Sequence, residues 1–191
     1  MLFRSAIRAS PATVDADSVE PRGPLAQRSS ALMRVNHCGE VCAQALYEGQ
    51  QLSAKEPATR TMLRRAAQEE LDHLVWARER LNQLGGRPSI LAPAFCVGAF
   101  AIGYVTGCIG DRWSLAFLAE TERQVEQHLV GHLARVPELD RQTRAILIQM
   151  IQDETRHGRE ARERGAAELP TFVSRGMRHA AALMTTLTEC I

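Results

Sequence analysis

Glutamate and histidine recur in this 191-residue chain at a spacing suited to metal coordination: Glu70 and His73 form one Glu-x-x-His, Glu154 and His157 a second. A lone glutamate precedes each pair, Glu40 lying 30 residues before Glu70 and Glu122 lying 32 before Glu154. On a helix, residues three apart share a face, so each pair points a carboxylate and an imidazole the same way. One glutamate from each of two helices and a Glu-x-x-His from each of two more is the ligand set of a carboxylate-bridged two-metal bundle. Sixteen glutamates and six histidines in this length give Glu-x-x-His about half a time by chance, so the signal lies in the matched set and not in either copy.

The elements that must position these residues are four helices. Ser29 or Ser30 is the expected N-cap of a first helix running to about Ser53, and Pro57 opens a second that ends at Gly85-Gly86. Met33, His37, Glu40, Tyr47 and Gln51 follow one stripe of the first; Leu63, Ala66, Glu70, His73, Ala77, Leu81 and Leu84 follow one of the second. A third helix from Trp113 to about Arg135 carries Leu115, Leu118, Glu122, Val125 and Leu129 in register. After Pro137 a fourth runs to about Gly165 with Thr143, Leu147, Met150, Glu154, His157 and Ala161. The acidic candidates thus lie on inward faces, where unpaired carboxylates are costly and a metal compensates their charge. This order of helix pair, insert, helix pair predicts an all-α, ferritin-like four-helix bundle with a long crossover between its second and third core helices.

Four carboxylates and two imidazoles without a thiolate favour iron or manganese over copper or structural zinc, and two divalent cations balance four glutamates. The residues therefore read as a redox di-iron site. Asp153 and its neighbours are candidates for holding an imidazole tautomer, whereas Asp72 and Arg156 read as parts of solvated helix faces. His37 and His128 read as core or supporting histidines. Tyr47 reads as a core residue with a satisfied hydroxyl, placed on the Glu40 stripe where it can also bond a ligand.

No charged residue occurs from Pro88 to Gly110. This insert, residues 88–110, wants an apolar environment, and Pro93 with the glycines at 98, 103, 107 and 110 favours broken or hairpin-like helices in one leaflet of a membrane. A crossover helix buried in the bundle is the alternative. Gly103 and Gly107 form a Gly-x-x-x-Gly that permits close helix contact but is common by chance. After Pro170, Phe172, Val173, Met177, Leu183, Met184 and Leu187 predict a short C-terminal amphipathic helix, either a second membrane contact or a cover for the core.

Residues 1–28 lack periodicity and read as a flexible N-terminal tail, leaving 29–191 as the helical domain. A net charge of +1 with both signs interspersed gives no nucleic-acid surface. The five cysteines contain no Cys-x-x-Cys, which argues against a disulfide framework, a zinc ribbon or an iron–sulfur site. Gly-x-Gly-x-x-Gly, Walker A and Gly-x-Ser-x-Gly signatures are absent.

The blocks MRVNHCGEVCAQALYEGQ around Glu40, EELDHL around Glu70 and His73, GDRWSLAFLAETERQVEQHL around Glu122, and DETRHG around Glu154 and His157 resemble the demethoxyubiquinone hydroxylases of ubiquinone biosynthesis. The resemblance spans roughly residues 30 to 190, order and spacing included. It implies Glu40, Glu70, His73, Glu122, Glu154 and His157 as ligands of two iron ions, with Glu70 and Glu154 bridging. It implies a monooxygenase that inserts one oxygen atom of O₂ into a ring C–H bond of a polyprenylated methoxy-methyl-benzoquinol, with electrons from NADH. A lipid-resident substrate and the apolar insert together imply peripheral membrane attachment; the tail, whose Asp15, Asp17 and Glu20 break a transit-peptide pattern, favours the cytoplasmic side of a bacterial inner membrane over the matrix side of the mitochondrial one in a eukaryote. Other ubiquinone-biosynthesis proteins and further copies of the chain are the expected protein partners. An iron-oxidising or peroxide-handling di-metal protein would use the same six ligands, but a soluble cage subunit would have to bury residues 88–110 at an oligomer contact.

Overall fold

The structure is a computed structural model describing residues 7–12 and 20–191. The described residues form six helices and no strand: α1 (Pro24–Ser53), α2 (Pro57–Gln83), α3 (Ala92–Ile109), α4 (Asp111–Arg135), α5 (Arg141–Glu163) and α6 (Thr171–Cys190). The all-α architecture is the expected one, with α1, α2, α4 and α5 as the bundle and α3 in the crossover.

The bundle core is layered. At one end Leu32, Met33, Trp76, Leu81, Leu129, Leu147 and Met150 pack together; at the other, Tyr47, Leu63, Leu115, Leu118 and Ala161 do so. These residues come from early and late turns of the same four helices, so α2 and α4 both run from the second layer to the first, while α1 and α5 run the opposite way. Two helices running the same way cannot be joined by a tight turn, and α3 supplies the return path. Arg80 locks the first layer's end: 1% exposed, it donates to Asp140 Oδ1 at 2.8 Å, Thr143 Oγ1 at 3.0 Å and Gln142 Oε1 at 3.0 Å. Asp140 also caps α5, accepting from Thr143 N at 3.0 Å.

Several boundaries differ from the sequence reading. The first helix begins at Pro24, not at Ser29 or Ser30, because a proline at the first helical turn already has the required φ; residues 24–28 are helical, and both serines are buried inside the helix. The third core helix begins at Asp111, whose carboxylate accepts from Lys55 N at 2.9 Å and Glu56 N at 2.8 Å in the α1–α2 connection.

The crossover is also different. It is one continuous helix, not a broken or hairpin-like pair, and it is not buried in the bundle. Pro93 sits in its first turn and so breaks nothing. Gly103 and Gly107 face α1: a Cβ on Gly103 would strike the Leu46 backbone, one on Gly107 the Ser53 side chain, and one on Gly49 the backbone of Phe100 and Tyr104. The Gly-x-x-x-Gly is thus a contact face, running parallel to α1. Gly110 alone joins α3 to α4, at a φ of +145° that L side chains rarely adopt.

Only the narrow glycine face of α3 is covered. Val97 (71% exposed), Phe100, Ile102, Tyr104, Val105 and Ile109 present apolar side chains outward, and among the described residues α3 alone is long and apolar enough to cross a membrane. Helix α6 lies against α1 and α4, its one buried residue being Thr188, and exposes Phe172, Leu183 and Leu187.

Gly103→Leu should cost about 2 kcal/mol or more, read from thermal unfolding, because the α1 backbone cannot yield. Gly98→Ala, where a Cβ meets open space, should instead stabilise by about 0.5–1 kcal/mol. Equal effects would contradict the assigned packing face.

Candidate metal centre

Between the two apolar layers lies a polar one. Glu40 comes from α1, Glu70 and His73 from α2, Glu122 from α4, and Glu154 and His157 from α5. None exceeds 3% exposure. Each stands one to two turns from apolar residues on either side along its helix, as Glu122 does between Leu118 and Leu129, so the stripe that builds the core also carries the charges inward.

The six side chains converge as two overlapping groups. Glu40, Glu70, His73 and Glu154 offer atoms within 4.8 Å of one another, as do Glu70, Glu122, Glu154 and His157. Glu70 and Glu154 belong to both. The two imidazoles are turned alike. His73 Nδ1 faces inward, 3.3 Å from Glu70 Oε2 and 3.3 Å from Glu154 Oε1, while Nε2 points outward to Asp153 Oδ2 at 3.0 Å. His157 Nδ1 lies 3.0 Å from Glu70 Oε1 and 3.5 Å from Glu154 Oε2, while Nε2 meets Glu69 Oε2 at 3.0 Å. A carboxylate on the outer nitrogen holds the ring with a proton there, which leaves the Nδ1 lone pair for a cation.

The outer carboxylates are themselves held by cations. Arg156 bonds Glu69 and, at 2.7 Å, Asp153 Oδ1; Arg8 Nη2 donates to Asp153 Oδ2 at 2.9 Å. Tyr47 donates its hydroxyl to Glu122 Oε1 at 2.5 Å, fixing that carboxylate's orientation.

The inner layer fits a pair of cations. Glu40 Oε2, Glu70 Oε1, Glu154 Oε2 and His157 Nδ1 are buried without a hydrogen-bond partner, the close His157–Glu70 approach being misaligned for one. Orphaned lone pairs turned toward one another are what a metal would satisfy. Burial pushes Glu40 and Glu122 well above the usual carboxylate range, aided chiefly by the charge of Glu70 at Glu40 and of Glu154 at Glu122. Burial opposes charge on the imidazoles, yet Glu70 and the nearby carboxylates of Asp153 and Glu154 raise His73, and the carboxylates of Glu154, Glu69 and Glu70 around His157 push it up to about 12. The bond from His157 draws Glu69 down to about 2. Without a metal, the layer therefore holds protons.

Asp72 is not on a solvated face. Its side chain is 5% exposed and accepts from Arg8 N and Nε. Arg156 is half-exposed but engaged with both outer carboxylates. His128 packs against His132 with the rings tilted, centroids 3.9 Å apart, and His132 Nδ1 meets Asn36 Oδ1 at 2.8 Å; His37 is buried outside both groups. Glu69 and Arg8 escaped the sequence reading: Glu69 resembles any surface glutamate beside Glu70, and Arg8 belongs to no periodic element.

A family model described as "Ubiquinone biosynthesis protein COQ7" matches residues 27–188. A protein named 3-demethoxyubiquinol 3-hydroxylase from Ralstonia pickettii (strain 12J) is 56% identical over 160 residues, covering 84% of this chain and 74% of its own. Proteins of the same name from Cupriavidus taiwanensis and Dechloromonas aromatica (strain RCB) are 56% and 54% identical, covering 94% and 85% of this chain and 87% and 79% of theirs. With its helical core matched almost from end to end, this chain is a member of the ubiquinone biosynthesis protein COQ7 family.

Proposed function

We propose that this chain hydroxylates the ring of a polyprenylated methoxy-methyl-benzoquinol, a demethoxyubiquinol, using O₂ and two iron ions. The observation that carries the reading is the doubled carboxylate–imidazole layer with Glu70 and Glu154 common to both halves, in a chain whose relatives bear the name 3-demethoxyubiquinol 3-hydroxylase. Glu40 and His73 would hold one ion, Glu122 and His157 the other, and Glu70 and Glu154 both. The oxygen-rich donor set suits iron, and four glutamates neutralise two ferrous ions.

Bound iron would supply the redox chemistry by which one oxygen atom of O₂ enters a ring C–H bond and the other leaves as water, two electrons coming from NADH. The protein's own residues set the stage for it. Asp153 and Glu69 keep the Nδ1 lone pairs aimed inward, Tyr47 holds Glu122 in one orientation, and the apolar layers keep bulk water from the reacting ring.

A substrate with an isoprenoid tail resides in lipid, and the outward apolar face of α3 suits contact with a bilayer. A peripheral position is preferred to a spanning one because α3 lies along α1, which carries the exposed Glu48 and would have to enter with it. We place the protein on the cytoplasmic side of a bacterial inner membrane. An iron-oxidising or peroxide-handling role would leave this face without a purpose.

Glu154→Ala should lower turnover of demethoxyubiquinol, measured with NADH in detergent as ¹⁸O incorporation from ¹⁸O₂, by about 10²-fold or more while helical content by circular dichroism is unchanged. Full activity in that variant would refute the assignment. Because the carboxylates around His157 push it up to about 12 and burial pulls Glu40 and Glu122 toward their protonated forms, anaerobic addition of ferrous iron near pH 7 should acidify a weakly buffered solution, and iron affinity should rise with pH. Uptake without proton release would contradict this electrostatic account. Val97→Glu with Val105→Glu should abolish co-sedimentation with phospholipid vesicles and spare the fold; undiminished binding would remove α3 as the contact.

A further inference from the structure

We propose that Arg8 is a positioning residue for His73, acting from outside the bundle and outside the segment that the family model matches. The inference rests on the ligand role proposed for His73 and adds to it a residue that the family model does not reach.

Arg8 makes a connected set of bonds. Its N and Nε donate to Asp72 Oδ1 at 3.1 Å and Oδ2 at 2.5 Å, and its Nη2 donates to Asp153 Oδ2 at 2.9 Å. That same Asp153 oxygen lies 3.0 Å from His73 Nε2. The backbone is seated as well: Trp76 Nε1 donates to Arg8 O at 3.0 Å, and the guanidinium lies 4.9 Å over the Trp76 ring. Ala12 packs against the first apolar layer, and Glu20 pairs with the buried Arg80. Arg8 and Glu20 each bond residues of both α2 and α5, Arg8 on the side where His73 Nε2 points.

The two halves of the centre differ in how they are braced. Glu69, behind His157, is held by Arg156 from α5 itself, one residue before the histidine. Asp153, behind His73, shares one oxygen with His73 and Arg8, and its other oxygen accepts from Arg156 and from Gln149 Nε2 at 3.2 Å. Arg8 is therefore the cation that fixes the oxygen on which the His73 ring rests. The planar fork spans Asp72 and Asp153 at once, which a lysine's point charge cannot do. Removing it leaves Asp153 held only through its other oxygen, so the oxygen behind His73 can shift and the ring can leave its inward orientation, while His157 keeps its own brace.

The test uses the full chain loaded anaerobically with ferrous iron and mixed with a ferrous chelator, with release followed in time. Glu69→Gln marks the phase that belongs to the His157 half. Arg8→Ala should speed the other phase about tenfold and leave the marked phase nearly unchanged, with thermal stability close to wild type. Arg8→Lys should fall between, and Arg159→Ala, which removes an exposed pair with Glu163 on α5, should match wild type. Release from Arg8→Ala at the wild-type rate would overturn the proposal. Equal acceleration of both phases with loss of thermal stability would also overturn it, since Arg8 would then be a general clamp. A wild-type chain that takes up no iron would instead refute the metal-centre reading on which the proposal rests.

Discussion

Four glutamate carboxylates share one buried layer with two imidazoles, and the fold depends on neutralising them. An uncompensated ion in such a place costs several kcal/mol, and a domain's whole stability is only about 5–15 kcal/mol. In the metal-free chain the upward pull on Glu40, Glu122 and the imidazoles favours their protonated forms and relieves part of the cost; two divalent cations would relieve the rest. The apolar layers above and below make the compensation obligatory, since they exclude the water that would otherwise solvate the charges. The outer ring of Asp153, Glu69, Arg156 and Arg8 then fixes which atoms remain available for it.

Topology links this centre to the exposed apolar surface of α3. Because α2 and α4 run in the same direction, a connection must return along the bundle, and the chain makes it with α3. Glycines at 49, 103 and 107 bring α3 close to α1 with little side-chain burial, so the large apolar residues of α3 remain on the outside. The same helix therefore closes the topology and presents an oily face.

Much of the centre is legible in sequence because helical periodicity is local: three-residue spacing alone puts Glu70 with His73 and Glu154 with His157. Matched upstream glutamates extend that logic to α1 and α4. What is not legible depends on partners far along the chain. Asp72 reads as a solvated residue until Arg8, 64 residues earlier, is found against it. Glu69 gains its meaning from His157, 88 residues later. The Gly-x-x-x-Gly signal was present, but whether it breaks a helix or seats one is decided by Leu46 and Ser53 on α1. The start of α1 was misplaced for a simpler reason: the serines at 29 and 30 resemble an N-cap, while Pro24 makes an earlier start equally accessible.

Anomalous diffraction at the iron edge from crystals of the iron-loaded chain tests the central claim most directly. The account predicts two peaks about 3.5–4 Å apart, one against His73 Nδ1 and the other against His157 Nδ1, with Glu70 and Glu154 reaching both. A single peak, or iron bound only at surface carboxylates, would contradict it.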